Sequence, residues 1–207
     1  MVHIFIANKE SVRFPGKNAV LLPYTVAWLA RAVPLLNEPC RVYCAGEPLP
    51  GIPDSWRYIP APTKLGHLAV LRAAEKAAAP GKEDVCVLVQ LTQPLREAAL
   101  LSRAVALCRK TAQTVISATE MPEAAWRRLD ARGTWAGQKK HCRIPYLDGR
   151  IYAWLPGRVH EIFDCACPHA VVHTVLPFIV DVDMPADWPA ELGSMLVKPL
   201  SIPDSGE

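Results

Sequence analysis

Short apolar runs alternate with amphipathic ones along most of the chain. Val2–Ala7 is rich in β-forming residues, and Cys40–Cys44 (CRVYC) and Trp56–Ile59 repeat that character in shorter form. Val85–Leu91 (VCVLVQL) is nearly continuous in apolar residues, as a central strand covered on both faces requires. Thr114–Thr119, Ile151–Trp154 and Leu176–Val182 follow the same style. Between these runs lie helical patterns. Tyr24–Leu36 carries apolar residues at helical spacing, with Pro34 expected to end it early. Gly66–Ala79 is alanine-rich and stops before Pro80-Gly81, and Arg96–Lys110 is amphipathic with a basic last turn. Gly157–Phe163 and Ala186–Leu192 read as shorter helices. Strand, loop, helix and strand in repetition predict an α/β fold, Rossmann-like, with three α/β/α layers around a mainly parallel mixed sheet.

The 207 residues suit a single domain, 1–207. One stretch breaks the alternation. From about 127 to 150 the chain is basic and rich in turn residues (Gly133, Gly137, Pro145, Gly149), which reads as an excursion from the sheet, a flap or a dimer contact. The net charge of +3 is too mild to argue for nucleic acid, so any anion site has to be local. No apolar run approaching the ~20 residues of a bilayer span is expected, and the start of the chain has no secretory pattern. Seven cysteines in such a context predict reduced thiols and a cytoplasmic protein. Cys165, Cys167, His169 and His173, with His141 and Cys142 elsewhere, offer zinc-type donors. Their C-x-C spacing departs from the familiar C-x2-C, and buried thiols behaving as small hydrophobes is the competing reading.

In a parallel sheet, ligands gather beyond the carboxyl ends of the strands. Three segments there carry chemistry. After the first strand comes IANKESVRFPGKN, in which Lys9, Arg13 and Lys17 supply charge and Ser11 a hydroxyl, with Pro15 and Gly16 shaping the path. Such a loop suits a phosphate-rich ligand, although it has no Walker pattern, and a solvated turn would look similar. After Val85–Leu91 comes QLTQPLR, where Gln90 and Thr92 present hydrogen-bonding groups at the end of an apolar strand. Late in the chain, Asp181-Val182-Asp183 puts two carboxylates on one face of an extended segment, about 7 Å apart, where they could share Mg2+ or lie as surface acids.

The order and content of these segments resemble the acylneuraminate cytidylyltransferase family, which includes CMP-sialic acid synthetases, and more distantly the CMP-Kdo synthetases. The family motif A-R-x-G-S-x-x-x-P-x-K-N is matched at Ala7, Ser11, Pro15, Lys17 and Asn18. Its L-Q-P-T-S-P-L-R looks like Val89–Arg96, its N-G-x-x-Y like Asp148–Tyr152, and its D-I-D-T like Asp181–Met184, followed by Asp187-Trp188. The resemblance implies a Mg2+-dependent enzyme that joins CMP from CTP to the anomeric hydroxyl of a 2-keto sugar acid and releases pyrophosphate. It implies nucleotide contacts from Ala7, Asn8, Lys9, Ser11, Arg13, Lys17 and Lys64, and acceptor contacts from Gln90, Thr92, Gly149 and Tyr152. Asp181 and Asp183 would hold the metal and act with Lys17 in catalysis, in a homodimer.

The chain departs from the family pattern at Asn8 (an arginine in the motif), Glu10 (a glycine) and Asp148 (an asparagine). The nucleotide segment R-P-x-x-L-A-x-D is reduced to Ala61–His67. Two alternatives follow: a nucleotidyltransferase for another nucleotide or acceptor, and a catalytically weakened relative with a binding role.

Overall fold

The computed structural model describes residues 1–8, 15–61, 63–120, 145–164, 167–174 and 176. Seven strands form one sheet: β1 (Val2–Asn8), β2 (Cys40–Gly46), β3 (Arg57–Pro60), β4 (Val85–Val89), β5 (Thr114–Glu120), β6 (Pro145–Trp154) and β7 (His169–His173). Their order is β3-β2-β1-β4-β6-β5-β7. β6 runs antiparallel to both of its neighbours, and the remaining pairs are parallel, so the sheet is mixed and mainly parallel, as expected. The helices are α1 (Lys17–Ala32), α2 (His67–Ala78) and α3 (Leu100–Thr111).

Side-chain alternation in the strands builds two separate cores. Val2, Ile4 and Ile6 of β1 and Val85, Val87 and Val89 of β4 face one way and pack with Leu21, Leu22, Trp28 and Leu29 of α1 and Leu100, Leu101 and Ala104 of α3. Phe5, Cys86 and Leu88 face the other way, against Val70, Leu71 and Ala74 of α2 and Val159 and Ile162 of a 3-10 turn at Val159–Phe163. These are the three layers. Val85–Val89 of β4 is apolar on both faces because each face meets a helix.

Several elements differ from the sequence reading for physical reasons. α1 starts seven residues before Tyr24, at Lys17, because Gly16 takes a left-handed conformation (φ +77°) and lets the chain turn into the helix; Pro23 then sits inside the helix. The α-helix ends at Ala32, before Pro34, as the proline requires, and gives way to a 3-10 turn at Val33–Leu36. The run Lys17–Leu36 is, by length and composition, apolar enough to cross a bilayer, contrary to the expectation that no such run exists; here its apolar face is core. α3 begins at Leu100 and not at Arg96, since Arg96 and Glu97 are drawn into buried polar contacts described below. Pro145–Arg150, read as part of the excursion, belongs to β6; 127–144 lie outside the described residues, as do 177–182 of the last expected strand and the expected helix Ala186–Leu192.

His169 and His173 are the two ends of β7, a strand that the zinc-or-thiol reading did not anticipate. The His169 ring nitrogen Nε2 lies 2.7 Å from the Glu161 carbonyl. Cys165, Cys142 and His141 lie outside the described residues. Elsewhere the thiols of Cys44, Cys86 and Cys108 are buried in the core as small hydrophobes; burial pushes Cys44 and Cys108 up to about 11, and Cys86 further.

The amino-terminal edge of the sheet is braced by Asp84. Its carboxylate accepts the Gly81 N–H (2.8 Å) and lies 3.1 Å from both the Met1 amino group and His3 Nε2. Burial pulls this carboxyl upward, but the Gly81, Met1 and His3 contacts outweigh it and hold it at about 2. That lies below the ~3.9 of an unfolded aspartate, so the stabilisation is complete above about pH 4 and is lost as the pH falls towards 2. Asp84→Asn is therefore expected to cost about 2 kcal/mol at pH 7 and roughly half of that at pH 3. Urea unfolding of both proteins at the two pH values checks this; an equal penalty at both would contradict it.

Candidate functional site

The strand order reverses between β1 and β4: β2 and β3 lie on one side of β1, and β4 continues on the other. At such a switch point, loops from neighbouring strands diverge and leave a crevice at the carboxyl edge. Phe5 pairs with Leu88, so β1 and β4 end side by side, and the segment after Val89 leaves from this edge. Antiparallel β6 brings its early residues to the same edge, since Ile151 pairs with Val89.

On the β1 side the site opens onto the start of α1. This helix has no acidic residue in its first turn and, among the described residues, no side-chain cap; its first residue is Lys17, 6% exposed. The positive end of the helix dipole and a lysine meet there, an arrangement that favours an anion. Gly16 provides the left-handed turn into it, and among the described residues nothing lies within 4 Å of where its Cβ would be. Lys9, Ser11 and Arg13 lie outside the described residues.

Asn8 is a brace. It is 1% exposed; its Nδ2 donates to the Glu47 carbonyl (2.8 Å), and its Oδ1 accepts from Asn18 Nδ2 (2.8 Å). The side chain thus joins the end of β1, the loop after β2 and the first turn of α1. Ala7 is half-buried beside it. Beyond β2, Gly46 (φ +116°) lies against the Asn8 carbonyl, Tyr58 donates its hydroxyl hydrogen to the Gly46 carbonyl (2.9 Å), and Thr63 Oγ1 donates to Glu47 (2.6 Å). Lys64 follows on the same edge, exposed, in the loop before α2.

On the β4 side, three expected acceptor residues meet. An ideal Cβ on Gly149 would lie 2.9 Å from Tyr152 Oη and 3.3 Å from Gln90 Oε1. Gly149, left-handed at φ +64°, therefore admits two polar tips to one point. A bulge makes this possible. Ile116 pairs with Tyr152, but Ala118 pairs with Leu147, so β6 carries three residues more than β5 between the same two pairings. Ser117 fills the gap: its Oγ donates to Asp148 Oδ1 (2.5 Å) and accepts from the Ile151 N–H (3.0 Å). Asp148 also lies 3.3 Å from Arg150 Nε, and both side chains are fully buried. Burial pulls the Arg150 guanidinium down while Asp148 and Glu97 oppose that pull. Thr92 is half-buried in the loop after Gln90.

The structure thus gathers Ala7, Lys17, Lys64, Gln90, Thr92, Gly149 and Tyr152 on one edge. Asp181 and Asp183 lie outside the described residues, and among the described residues no group of three or more His, Cys, Asp or Glu side chains gathers as a metal site. Sequence reading missed the bracing roles of Asn18, Ser117 and Arg96. Their partners lie 6 to 71 residues away, so no local pattern marks them.

No family model and no curated protein matches the chain. Solved structures do. A CMP:2-keto-3-deoxy-manno-octonic acid synthetase complexed with CTP superposes with a TM-score of 0.66 at 12% identity, over 95% of this chain and 98% of that one. A 4-diphosphocytidyl-2C-methyl-D-erythritol synthase from Anaerococcus prevotii gives 0.55 at 13% identity, over 90% and 94% of the two chains. A manganese complex of the Mycobacterium tuberculosis protein Rv0371C gives 0.51 at 14% identity, over 90% and 94%. The chain shares their fold. At such low identity the fold is all that these likenesses establish.

Proposed function

We propose that the protein is a cytidylyltransferase that transfers CMP from CTP to the hydroxyl of a small acidic sugar, with release of pyrophosphate. The observation that carries this reading is the pairing of two unlike half-sites at the switch point. One is an anion-favouring helix start with Lys17; the other is a polar corner formed by Gln90, Gly149 and Tyr152. Two structures that share the fold, a CMP-sugar-acid synthetase complexed with CTP and a diphosphocytidyl-erythritol synthase, belong by name to cytidyl chemistry and support the choice of nucleotide.

In this reading, the triphosphate lies along the β1–α1 loop. Lys17 and the first N–H groups of α1 offset its charge, joined by Lys9, Ser11 and Arg13. Gln90 and Tyr152 hold acceptor hydroxyls and orient one of them towards the α-phosphate, with Thr92 alongside. The hydroxyl oxygen forms a bond to the α-phosphorus as the bond to the pyrophosphate oxygen breaks. Catalysis rests on positioning and charge neutralisation. Asp181 and Asp183 would hold a divalent cation, Mg2+ in this assignment, which supplies further charge neutralisation at the phosphates when bound.

The test is pyrophosphate release with Mg2+, each of CTP, UTP, GTP and ATP, and separate pools of 2-keto sugar acids and sugar or polyol phosphates. Release with CTP and the sugar-acid pool is expected. Release only with another nucleotide, or only with the phosphate pool, would move the specificity. Asp181→Ala is expected to lower turnover by about 100-fold or more while leaving thermal stability in place. Unchanged turnover in that variant would remove the metal assignment.

A further inference from the structure

Arg96 closes the QLTQPLR segment and is not among the residues assigned to substrate. It is nonetheless 6% exposed, and its guanidinium reaches three elements of the site. Nη2 donates to the Gln90 carbonyl, Nε donates to the Arg150 carbonyl at 3.1 Å, and Nη1 donates to Thr25 Oγ1 of α1 at 3.3 Å. The guanidinium carbon Cζ also lies over the Trp28 ring, 5.1 Å from its centroid, one helical turn further along α1. The next residue adds a second tie, since Trp28 Nε1 donates to the Glu97 carbonyl at 2.8 Å.

The carbonyls that Arg96 holds are not arbitrary. One belongs to Gln90, whose side chain forms the polar corner; the other belongs to Arg150, which follows Gly149 in the bulge. The third partner is on the helix whose first turn forms the anion-favouring half-site. A guanidinium is suited to this work because its five donors are fixed in one plane and point in different directions. A lysine ammonium has three donors on one atom and cannot span three partners spread around a plane while stacking on an indole.

We infer that Arg96 is a positioning residue that locks the acceptor corner to helix α1, and so fixes the distance between the bound acceptor and the bound triphosphate. The inference deepens the proposed transferase and rests on that reading for its kinetic part. The lock itself is a property of the fold and has its own readout. A misplacement of about 1 Å between reacting groups can cost about 100-fold in rate, so a residue remote from the chemistry can govern it in this way.

The experiment compares the wild type with Arg96→Lys and with the milder Thr25→Val, which removes one of the three acceptors at nearly constant shape. Amide hydrogen exchange is measured on each free protein. The KM values for CTP and for the acceptor, and kcat, are measured on each. The expected result for Arg96→Lys is faster exchange confined to Gln90–Thr92, Gly149–Ile151 and the first half of α1. Alongside it, kcat over acceptor KM falls at least tenfold while the KM for CTP stays within twofold. Thr25→Val is expected to move the same quantities in the same direction by less, which keeps the test open if Arg96→Lys fails to fold. Exchange that rises evenly over the whole core, or a KM for CTP that rises as much as the KM for the acceptor, would overturn the inference and leave Arg96 as an ordinary core residue. If the wild type releases no pyrophosphate with any pair, the transferase reading falls, and the lock is then judged by exchange: local deprotection supports it and uniform deprotection overturns it.

Discussion

Replacing Gly46 by alanine is expected to cost the fold about 3 kcal/mol or more, a drop of roughly 10 °C in Tm. Two penalties combine. The backbone at Gly46 has φ +116°, a region that L side chains rarely adopt. A Cβ there would also lie 2.1 Å from the Asn8 carbonyl oxygen and 3.1 Å from its carbon. These are backbone atoms and cannot swing aside as the end of a side chain could. Asn8 is paired with Gly46 across the β1–β2 ladder, its carbonyl accepts the Glu47 N–H at 3.1 Å, and its side chain is tied to Glu47 and Asn18. Relief would require the ends of β1 and β2 to part, which would disturb the entry to the β1–α1 loop. Thermal unfolding followed by circular dichroism checks this. A variant within 0.5 kcal/mol of the wild type would mean that the two strand ends separate without cost.

Gly149→Ala is expected to behave in the opposite way: a modest effect on stability and a large one on turnover. The left-handed φ of +64° costs an alanine about 1 kcal/mol. The atoms that a Cβ would meet, Tyr152 Oη at 2.9 Å and Gln90 Oε1 at 3.3 Å, are the ends of side chains that can retreat. Their retreat dismantles the polar corner. The kcat/KM for the acceptor should therefore fall by about 100-fold, with cooperative unfolding retained. Unchanged acceptor kcat/KM in a folded variant would show that the acceptor is held elsewhere. The two glycines thus separate two functions of the carboxyl edge, one building it and one leaving room beside it.

What the sequence disclosed follows from which interactions are local. VCVLVQL could be read as a buried central strand because both of its faces meet helices, and nothing but apolar residues fits there. The positive loop after β1 and the QLTQPLR segment could be placed at one edge because strand–helix alternation fixes which ends of parallel strands coincide. The helix expected from Tyr24 starts earlier because Gly16 in a left-handed turn leads into it six residues before Pro23, which sits inside it. The start of α3 was misread because Arg96 and Glu97 suit a helix by propensity, while the buried carbonyls of Gln90 and Arg150 and the Thr174 hydroxyl compete for their side chains. The bracing role of Asn8 escaped the sequence because its partners, at 18, 47 and 48, can be seen only in the folded chain. β7 was missed because its His-Ala-Val-Val-His pattern invited attention to metal-type donors and away from the β-branched pair between them.

The central claim is that this edge joins a cytidylyl group to a sugar acid. 31P NMR of the purified protein with CTP, Mg2+ and a pool of 2-keto sugar acids tests it most directly. The account predicts loss of the three CTP resonances and growth of two new signals, one from pyrophosphate and one from a phosphodiester whose appearance requires the acid. CTP that persists unchanged with every acid in the pool, or hydrolysis to CMP and pyrophosphate at a rate independent of the acid, would contradict it.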